Sequence, residues 1–274
     1  MPDRQNASIP AAIADYRIVT LLGEGNHGCF YLAEAPARLG LSTDLVAVKV
    51  FAGQYSEDAY RRGVRELRAF AAVHSPLFVR IYDAALEADT FLYAMEYFPL
   101  GSLGSPAQQM PRGDILRALE DAARAVHALH EAGSTHGDIK PANIMVDEHG
   151  GKLSDLGLAR VLNAGTRLTG MAPATSVEYI DPELLFGGAP SRSTDIWALG
   201  ATINRALTGD GLYGELPLDQ PMLAIRAVQS CRPRISPSLE ADEAALVESC
   251  LAPLESRPPT AEAVADRIAA LRNR

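Results

Sequence analysis

Cysteine and long apolar runs are both scarce in this chain, and each scarcity excludes a class of protein. The three cysteines, Cys29, Cys231 and Cys250, form no C-x-x-C pair and have no histidines nearby at ligand spacing. Neither a disulfide framework nor a zinc site is therefore expected, which favours a reducing compartment. No uninterrupted apolar stretch approaches the roughly 18 residues of a transmembrane helix, and residues 1–14 do not resemble a signal peptide. We expect a cytoplasmic protein with no membrane span.

Basic residues are outnumbered, because 25 Lys and Arg stand against 34 Asp and Glu, for a formal net charge of −9 and a pI near 5.2. That balance argues against a general affinity for nucleic acid and is compatible with basic protein partners. A chain of 274 residues that is 47% apolar has enough material for one core or two lobes. Its size predicts a single catalytic unit rather than several independent domains.

The residue pattern changes character along the chain. Residues 1–14 are polar, contain two prolines and predict a flexible arm. Short β-rich runs follow, at 16–22, 29–34, 45–51, 78–84 and 90–97, with one helical segment at 56–72. Beyond a linker near 98–102 the pattern is helical: Asp114 is a candidate N-cap, and further helices are predicted at 194–207, 221–227, 240–251 and 260–271. The sequence thus predicts a small sheet-rich lobe at 15–98 and a larger helical lobe at 99–274.

One short stretch carries the residue types that phosphoryl transfer requires. It reads His136-Gly137-Asp138-Ile139-Lys140-Pro141-Ala142-Asn143, and Asp155-Leu156-Gly157 begins twelve positions after Asn143. A phosphoryl group in transfer spreads negative charge over its oxygens, so a catalyst needs metal ligands, positive charge and an oriented nucleophile. A carboxylate, an ammonium and two metal-binding oxygens are all present here.

Two features of the sheet-rich lobe are ambiguous when taken alone. The glycines of 23–28 lie between two predicted strands, where exposed amides would approach phosphates closely, although a bare turn explains them equally well. Lys49 ends an apolar strand and requires an anionic partner if it is buried, and Glu66 in the predicted helix is the candidate. A solvated lysine at the end of the strand is the alternative.

Together these motifs make the chain resemble the eukaryotic-type (Hanks-type) Ser/Thr protein kinases from about Tyr16 to Leu271. The resemblance implies an α+β bilobal kinase fold, with a small antiparallel sheet plus one helix in the first lobe. It also implies a bacterial catalytic domain that stands alone, uses ATP and Mg²⁺, phosphorylates proteins on Ser or Thr and autophosphorylates. A separate regulatory protein is expected as a further partner.

The resemblance also assigns roles to individual residues. Asp138 would be the catalytic base and Lys140 would neutralise the γ-phosphate, whereas Asn143 and Asp155 would bind Mg²⁺. Lys49 would hold the α- and β-phosphates and Glu66 would orient it. The nucleotide-binding positions would be Leu22, Gly23, Glu24, Gly25, Asn26, His27, Gly28, Phe30, Ala47, Lys49, Met95, Glu96, Phe98 and Met145.

Later motifs extend the resemblance through the helical lobe. Residues 155–183 correspond to the activation segment, which ends at Asp181-Pro182-Glu183. The family pattern pairs that final glutamate, Glu183, with an arginine that corresponds to Arg257. Asp195 opens the helix that anchors the catalytic loop. Ser176 is expected to contact Asp138 in positioning the substrate.

Several positions depart from the family pattern. Gly137 replaces the arginine that usually precedes the base and receives a phosphate from the activation loop, which predicts activity not gated by that charge pair. Thr166, Thr169, Thr175 and Ser176 remain candidate autophosphorylation sites, with an unmodified hydroxyl as the alternative for each threonine and the contact with Asp138 as the favoured role of Ser176. Leu156 replaces phenylalanine, and Phe30 replaces valine. No function follows from the long connection at 34–44.

Two rival functions remain open. Small-molecule phosphotransferases share the His-Gly-Asp sequence, but they usually carry histidine two residues after the aspartate, where this chain has Lys140. A pseudokinase that acts as a binding scaffold commonly loses the lysine, the base or the metal aspartate. Lys49, Asp138 and Asp155 are all retained, which favours an active protein kinase.

Overall fold

The computed structural model describes residues 9–25, 28–73, 75–155, 174–217 and 220–274. Contacts divide these residues into two compact units. The first contains the described residues up to Ala71 together with Arg80–Tyr97, and the second contains the rest. Among the described residues, no helix combines the length and the apolar character needed to cross a bilayer.

A six-stranded antiparallel sheet forms most of the first unit, in the order β1-β2-β3-β4-β6-β5. Its strands are β1 (Ala12–Ile13), β2 (Tyr16–Gly25), β3 (Gly28–Glu34), β4 (Leu45–Phe51), β5 (Ile81–Glu87) and β6 (Thr90–Met95). Side chains alternate between the two faces of a strand, so the apolar β4 contributes to both. Val46 and Val48 join one core with Tyr16, and Phe51 packs on the other face against Phe91 at 5.3 Å between ring centroids.

Helix α1 (Glu57–Ala71) packs through an apolar stripe, with Ala59, Leu67 and Phe70 buried. The ring of Tyr60 lies 5.9 Å from that of Phe91, which places this helix on the aromatic face of the sheet. The stripe recurs at helical spacing, while charged residues occupy the other positions. Burial of one face therefore stabilises a helix whose composition is otherwise highly polar.

The connection at 34–44 is tied down by Arg38, which lies in a short 3₁₀ turn, Ala37–Leu39. Its guanidinium donates to Asp15 and Asp83, each at 2.6 Å, and lies 5.6 Å from the centroid of the Tyr16 ring. The Tyr16 hydroxyl donates to the same Asp83 carboxylate at 2.6 Å. The extra residues thus let one arginine link the connection to the start of β2 and to β5.

The second unit is mainly helical. Its helices are α2 (Arg112–Glu131), α3 (Ala174–Val177), α4 (Pro182–Leu185), α5 (Arg192–Thr208), α6 (Pro221–Ser230), α7 (Ala241–Cys250) and α8 (Ala261–Arg272). A small antiparallel sheet accompanies them, formed by β7 (Gly101–Ser102), β8 (Ser105–Pro106), β9 (Ile144–Val146) and β10 (Gly151–Leu153). Helix α2 packs against α8 and β10, and α5 packs against α7.

Helix α5 is buried over most of its length, from Thr194 to Asn204. A capping box fixes its start, because Ser191 accepts from the Thr194 amide while the Thr194 hydroxyl accepts from the Ser191 amide. Gly209 ends the helix with φ at 78°, a left-handed value that glycine adopts without steric cost. The helix is therefore a rigid base for residues that contact it.

The α+β architecture predicted from the sequence, a small antiparallel sheet with one helix followed by a mainly helical region, is confirmed with two local corrections. Asp114 is not an N-cap: α2 begins at Arg112 after Pro111, which leaves Asp114 in the first turn. The strand predicted at 78–84 instead spans Ile81–Glu87. The residues before it pair elsewhere, because the Val79 amide donates to the Leu153 carbonyl at 3.0 Å and the Leu153 amide donates to Leu77 at 2.8 Å.

Candidate active site

The loop that carries Asp138 is anchored by a buried carboxylate on α5. Asp195 is 1% exposed and accepts from the amides of His136 and Gly137, both at 2.8 Å, and from His130 Nε2 at 2.9 Å. Gly137 has φ at 75°, where a side chain would add strain. The rigid helix thereby fixes the backbone immediately before the predicted base.

His136 adds a second constraint on the same loop. Its Nδ1 accepts from the Asp138 amide at 3.2 Å, so the proton lies on Nε2, which donates to the Ser154 carbonyl at 3.0 Å. Complete burial lowers the pKa of His136 below its ordinary value, and a neutral ring is the form that this bonding requires. The imidazole therefore links the start of the loop to the residue before Asp155.

Asp138, Lys140 and Asn143 come together as the sequence predicts, and Ser176 joins them. Lys140 Nζ donates to the two Asp138 oxygens at 3.1 and 2.8 Å and to Ser176 Oγ at 2.9 Å. The side chains of Asp138 and Lys140 are 27% and 16% exposed, so both remain accessible. Ser176 was expected to contact Asp138, but its hydrogen bond is with Lys140, because the ammonium lies between the hydroxyl and the carboxylate.

Asn143 is oriented by its own hydrogen bonds. Its Nδ2 donates to the Asp138 carbonyl at 2.7 Å and to Asp138 Oδ2 at 3.0 Å, which leaves Oδ1 as the atom able to bind a cation. Ser154 holds the asparagine backbone, since its amide donates to the Asn143 carbonyl at 2.8 Å. Asp155 follows directly with φ at 59°, a left-handed conformation that non-glycine residues rarely adopt and that is frequent at functional sites.

This donor set fits Mg²⁺, which prefers one or two carboxylates together with other oxygen ligands. Asn143 offers an amide oxygen whose orientation is fixed by Asp138. Asp155 offers a carboxylate on the segment that Ser154 and His136 hold in place. Both predicted metal ligands therefore lie in the same unit as the predicted base.

Lys49 lies on β4 in the first unit and is 7% exposed. Its Nζ lies 4.8 Å from the ring centroid of Phe30, 5.0 Å from that of Phe51 and 6.0 Å from that of Tyr93. Aromatic faces attract an ammonium at these distances and partly replace the water that burial removes. The alternative of a solvated lysine is therefore wrong, because the side chain is buried and its ammonium lies against the Phe30 ring.

The glycine-rich segment forms the hairpin between β2 and β3. Leu22 is 42% exposed, a Cβ added at Gly23 would meet open space, and Glu24 pairs with Cys29 in register. Gly28 pairs with Gly25, and its φ of 132° leaves no room for a side chain, since a Cβ would lie 1.8 Å from the Val50 carbonyl oxygen. The described residues on either side of Asn26 and His27 therefore belong to two paired antiparallel strands rather than to the start of a helix.

The predicted adenine positions belong partly to each unit. In the first unit, Ala47 and Met95 are cross-strand partners, 3% and 4% exposed, and the Glu96 amide donates to the Arg80 carbonyl at 2.9 Å. In the second, Phe98 is 5% exposed and its carbonyl accepts from the Gly101 amide, while Met145 pairs with Lys152 in the small sheet.

Some predicted residues lie outside what the structure describes. These are Asn26 and His27 of the hairpin and the activation-segment residues Leu156, Gly157, Thr166 and Thr169. Glu66 lies on α1, and Thr175 lies on α3. Because the structure describes the backbone of Glu66 but not its side chain, the predicted Lys49–Glu66 ion pair stays a prediction.

The predicted pairing of Arg257 with Glu183 is wrong. Arg257 Nη1 instead donates to Asp181 Oδ2 at 2.5 Å, and the two side chains are 5% and 2% exposed. Glu183 is exposed in the first turn of α4, whereas Asp181 precedes that helix and also accepts from the Glu183 amide at 3.0 Å. The N-cap position turns the shorter carboxylate toward the arginine and leaves the longer one in solvent.

Sequence reasoning missed His130, Ser154 and the ion pair between Glu178 and Arg205. Ser154 acts largely through its backbone, which leaves no mark on residue choice. Glu178 follows α3 and Arg205 lies on α5, 27 positions later, so no periodicity connects them. The only available signal for His130 was its place at the end of the apolar α2 pattern.

Comparisons with known proteins agree with this geometry. The family model described as protein kinase domain matches residues 16–267. PrkC of Bacillus subtilis, a Ser/Thr protein kinase, is 32% identical over 200 residues, covering 71% of this chain and 30% of PrkC. PknK of Mycobacterium tuberculosis, also a Ser/Thr protein kinase, is 30% identical over 277 aligned positions, covering 95% of this chain and 24% of PknK.

A solved structure supports the fold. The crystal structure of the Mycobacterium tuberculosis PknI kinase domain superposes with a TM-score of 0.68 at 21% identity, covering 96% of this chain and 98% of that one. The chain spans between 24% and 30% of the length of PknK and PrkC, so it corresponds to one part of those proteins. Since the family model covers most of its length and the loop around Asp138 has the geometry described above, this chain belongs to the protein kinase family, and its curated relatives are bacterial Ser/Thr kinases of the eukaryotic type.

Proposed function

We propose that this chain transfers the γ-phosphoryl group of ATP to Ser and Thr hydroxyls of protein substrates, and that it also autophosphorylates. The observation that carries the proposal is the contact of Lys140 with both Asp138 and Ser176. It brings a carboxylate able to accept a proton, a cation and a hydroxyl-bearing segment to one accessible point. These are the groups that transfer to a protein hydroxyl requires.

Asp138 accepts the proton of the substrate hydroxyl while that oxygen bonds to the γ-phosphorus and the bond to the β-γ bridging oxygen breaks, releasing ADP. Lys140 has three N–H donors, which contact the two Asp138 oxygens and Ser176, so a phosphate oxygen would take the place of one of these acceptors. Asn143 also donates to Asp138 Oδ2 and limits rotation of the carboxylate.

Asn143 and Asp155 are the residues that would hold Mg²⁺. When bound, the ion neutralises charge on the phosphate oxygens and orients them. The fixed orientation of the Asn143 amide and the constrained backbone of Asp155 support this assignment, because a preorganised pair of ligands loses little freedom on binding.

The nucleotide roles assigned by resemblance are part of the same proposal. Lys49 contacts the α- and β-phosphates, with Glu66 orienting it, and the hairpin from Leu22 to Gly28 covers the phosphates. Burial of Lys49 supports its role, because an ammonium removed from water interacts more strongly with an anion. The same proposal assigns to adenine the positions that the resemblance gives for it: Phe30, Ala47, Met95, Glu96, Phe98 and Met145.

We further propose that the protein acts in the cytoplasm, where ATP and Mg²⁺ are available. Its cysteines are free, including the exposed Cys231, which is compatible with a reducing compartment. Gly137 replaces the arginine that would sense activation-loop phosphate, which supports control by a separate regulatory protein.

Phosphotransfer with defined acceptors tests the proposal. Purified protein is incubated with γ-labelled ATP and Mg²⁺, a protein mixture and a set of small hydroxyl-bearing and amine-bearing acceptors, followed by acid hydrolysis and phosphoamino acid separation. We expect label in phosphoserine and phosphothreonine, and its loss on metal chelation and in Asp155→Asn.

The rival functions predict different results. Label only in small molecules would indicate a small-molecule phosphotransferase, and nucleotide binding without any transfer would indicate a pseudokinase scaffold. Lys49→Ala is the matched variant for nucleotide handling: because Lys49 lies at the edge of an aromatic cluster, the variant is expected to fold and to lose nearly all transfer. Full activity of Lys49→Ala would contradict the assignment.

A further inference from the structure

A groove of about 1520 Å³ lies in the second unit and includes Lys140 in its lining. Glu178, Tyr179, Arg205 and Tyr213 also line it. The groove is therefore continuous with the point at which the proposed function places the substrate hydroxyl. Its volume is well above that of a typical small-ligand pocket, which suits an extended peptide.

Glu178 and Arg205 form a close ion pair in this groove. Arg205 Nε and Nη2 donate to Glu178 Oε1 at 3.1 and 2.9 Å, and Nη2 also donates to Oε2 at 2.8 Å. The side chain of Glu178 is 9% exposed and that of Arg205 is 36% exposed. A second anchor fixes the guanidinium, since Nη1 donates to the Gly209 carbonyl at 2.6 Å. Arg205 belongs to the rigid helix α5, so the pair fastens Glu178 to the base of the unit.

The segment that Glu178 occupies also carries Ser176. The Tyr179 amide donates to the Ser176 carbonyl at 3.1 Å, and the Ile180 amide donates to the Val177 carbonyl at 3.2 Å. Glu178 is a central residue of both turns, so its position determines the path of the chain on either side. Burial, together with the neighbouring Glu178 carboxylate, raises the pKa of the Tyr179 hydroxyl.

We propose that Arg205 is a positioning residue for the proposed phosphotransfer: by fixing Glu178, it holds the Ser176 hydroxyl in contact with Lys140. The inference rests on the proposed function for its kinetic consequence and on the ion pair for its structural one. A buried carboxylate that loses its only ion-pair partner among the described residues moves toward water, and the turn that bears Ser176 moves with it. Displacement of a positioning group by about 1 Å can cost roughly 10²-fold in rate.

A double-mutant cycle tests the route from Arg205 through Ser176. We expect Arg205→Gln to lower kcat/KM for a protein substrate by roughly 10- to 100-fold without changing the KM for ATP. In a Ser176→Ala background the same change should have little further effect, because both substitutions remove the same contact, that of the Ser176 hydroxyl with Lys140. Arg205→Lys should recover part of the rate, since lysine keeps the positive charge but cannot donate from two nitrogens to the Glu178 carboxylate. Fully additive effects would overturn the proposal.

Arg112→Gln is the matched control. Arg112 pairs with the buried Glu243 on α7 through a comparable fork, and neither residue lines the groove. The control variant should lose stability to a similar degree and keep the protein-substrate kcat/KM of the parent. An equal loss of kcat/KM in both variants would mean that the effect of Arg205→Gln is general destabilisation.

Hydrogen exchange separates this inference from the proposed function. The amides of Tyr179 and Ile180 should exchange at least about 10-fold faster in Arg205→Gln than in the parent, and remain protected in Arg112→Gln. A parent chain that shows no phosphotransfer would refute the proposed function, while the exchange comparison would still decide whether Arg205 fixes this segment. Unchanged protection in Arg205→Gln would refute the inference even in an active enzyme.

Discussion

Replacing Asp181 by asparagine removes the charge that faces Arg257 while keeping the size of the side chain. The arginine would retain its hydrogen bonds to the carbonyls of Ala252 and Ser193, at 2.8 and 2.9 Å. It would lose its only carboxylate partner among the described residues, at a site where both side chains are at most 5% exposed. Glu183→Gln is the matched variant, since Glu183 carries the same charge two residues later and is exposed.

The structure sets the expected magnitudes. Breaking a buried ion pair by removing one partner typically costs about 3–5 kcal/mol of unfolding free energy. Asparagine keeps an oxygen that can cap the Glu183 amide, so the loss in Asp181→Asn should lie near the lower end, at about 3 kcal/mol. Asp181→Ala also removes the cap and should cost about 1 kcal/mol more. Glu183→Gln should change the free energy by less than about 0.5 kcal/mol.

Urea unfolding followed by tryptophan fluorescence measures these differences. Trp197 is the single tryptophan of the chain, and the Arg257 guanidinium lies 5.1 Å from the centroid of its ring, so the signal reports on this site. The midpoint should shift without a change in the slope, and added salt should affect the shift little, because the pair is buried. A loss in Glu183→Gln that equals or exceeds the loss in Asp181→Asn would refute the reassigned pair.

Three further predictions concern protonation, thiol reactivity and backbone conformation. Burial lowers the pKa of His136, so as pH falls below about 6.5 the unfolded chain protonates this histidine while the folded chain does not. The free energy of unfolding should therefore decrease as the pH is lowered from 7.5 to 5.5, and it should decrease less in His136→Gln. An equal decrease in both proteins would count against the buried neutral ring. Mass spectrometry after alkylation of native protein at pH 8 should show Cys231 modified and Cys250 intact. Cys231 is exposed, whereas burial raises the pKa of Cys250 to about 12. Rapid labelling of Cys250 in the native protein would contradict its burial. Gly28→Ala should lower the free energy of unfolding in urea by more than about 1 kcal/mol, and Gly23→Ala should lower it by less, since only the first would place a Cβ against the Val50 carbonyl. Equal losses in the two variants would refute the hairpin geometry.

Features encoded by contiguous residues could be predicted from the sequence. The spacing from Asp138 to Asn143 fixes three side chains on one turn, so their contacts follow from local geometry once the loop is formed. The apolar run of β4 identifies a central strand, although the sequence left open whether Lys49 is buried there, which the structure shows it to be. Periodicity likewise indicates α2, although its start was misplaced because Pro111 and Asp114 are both acceptable near a helix terminus.

Partners that are distant in sequence could not be predicted in the same way. Asp181 and Glu183 are both acidic and two positions apart, and only the turn before α4 decides which of them Arg257 contacts, 76 residues after Asp181. The role of Arg38 depends on the proximity of Asp15 and Asp83, which belong to different parts of the sheet. Such choices are set by tertiary packing, which overrides any pattern in the residues themselves.

The measurement that tests the central claim most directly is transfer of labelled γ-phosphoryl from ATP by Asp138→Asn beside the parent chain, with nucleotide binding measured on both proteins. The substitution keeps the size of the side chain and removes the base that Lys140 and Asn143 hold in place. We predict similar nucleotide affinity and a fall in transfer of roughly 10²- to 10⁴-fold. Transfer at the parental rate by Asp138→Asn would contradict the account.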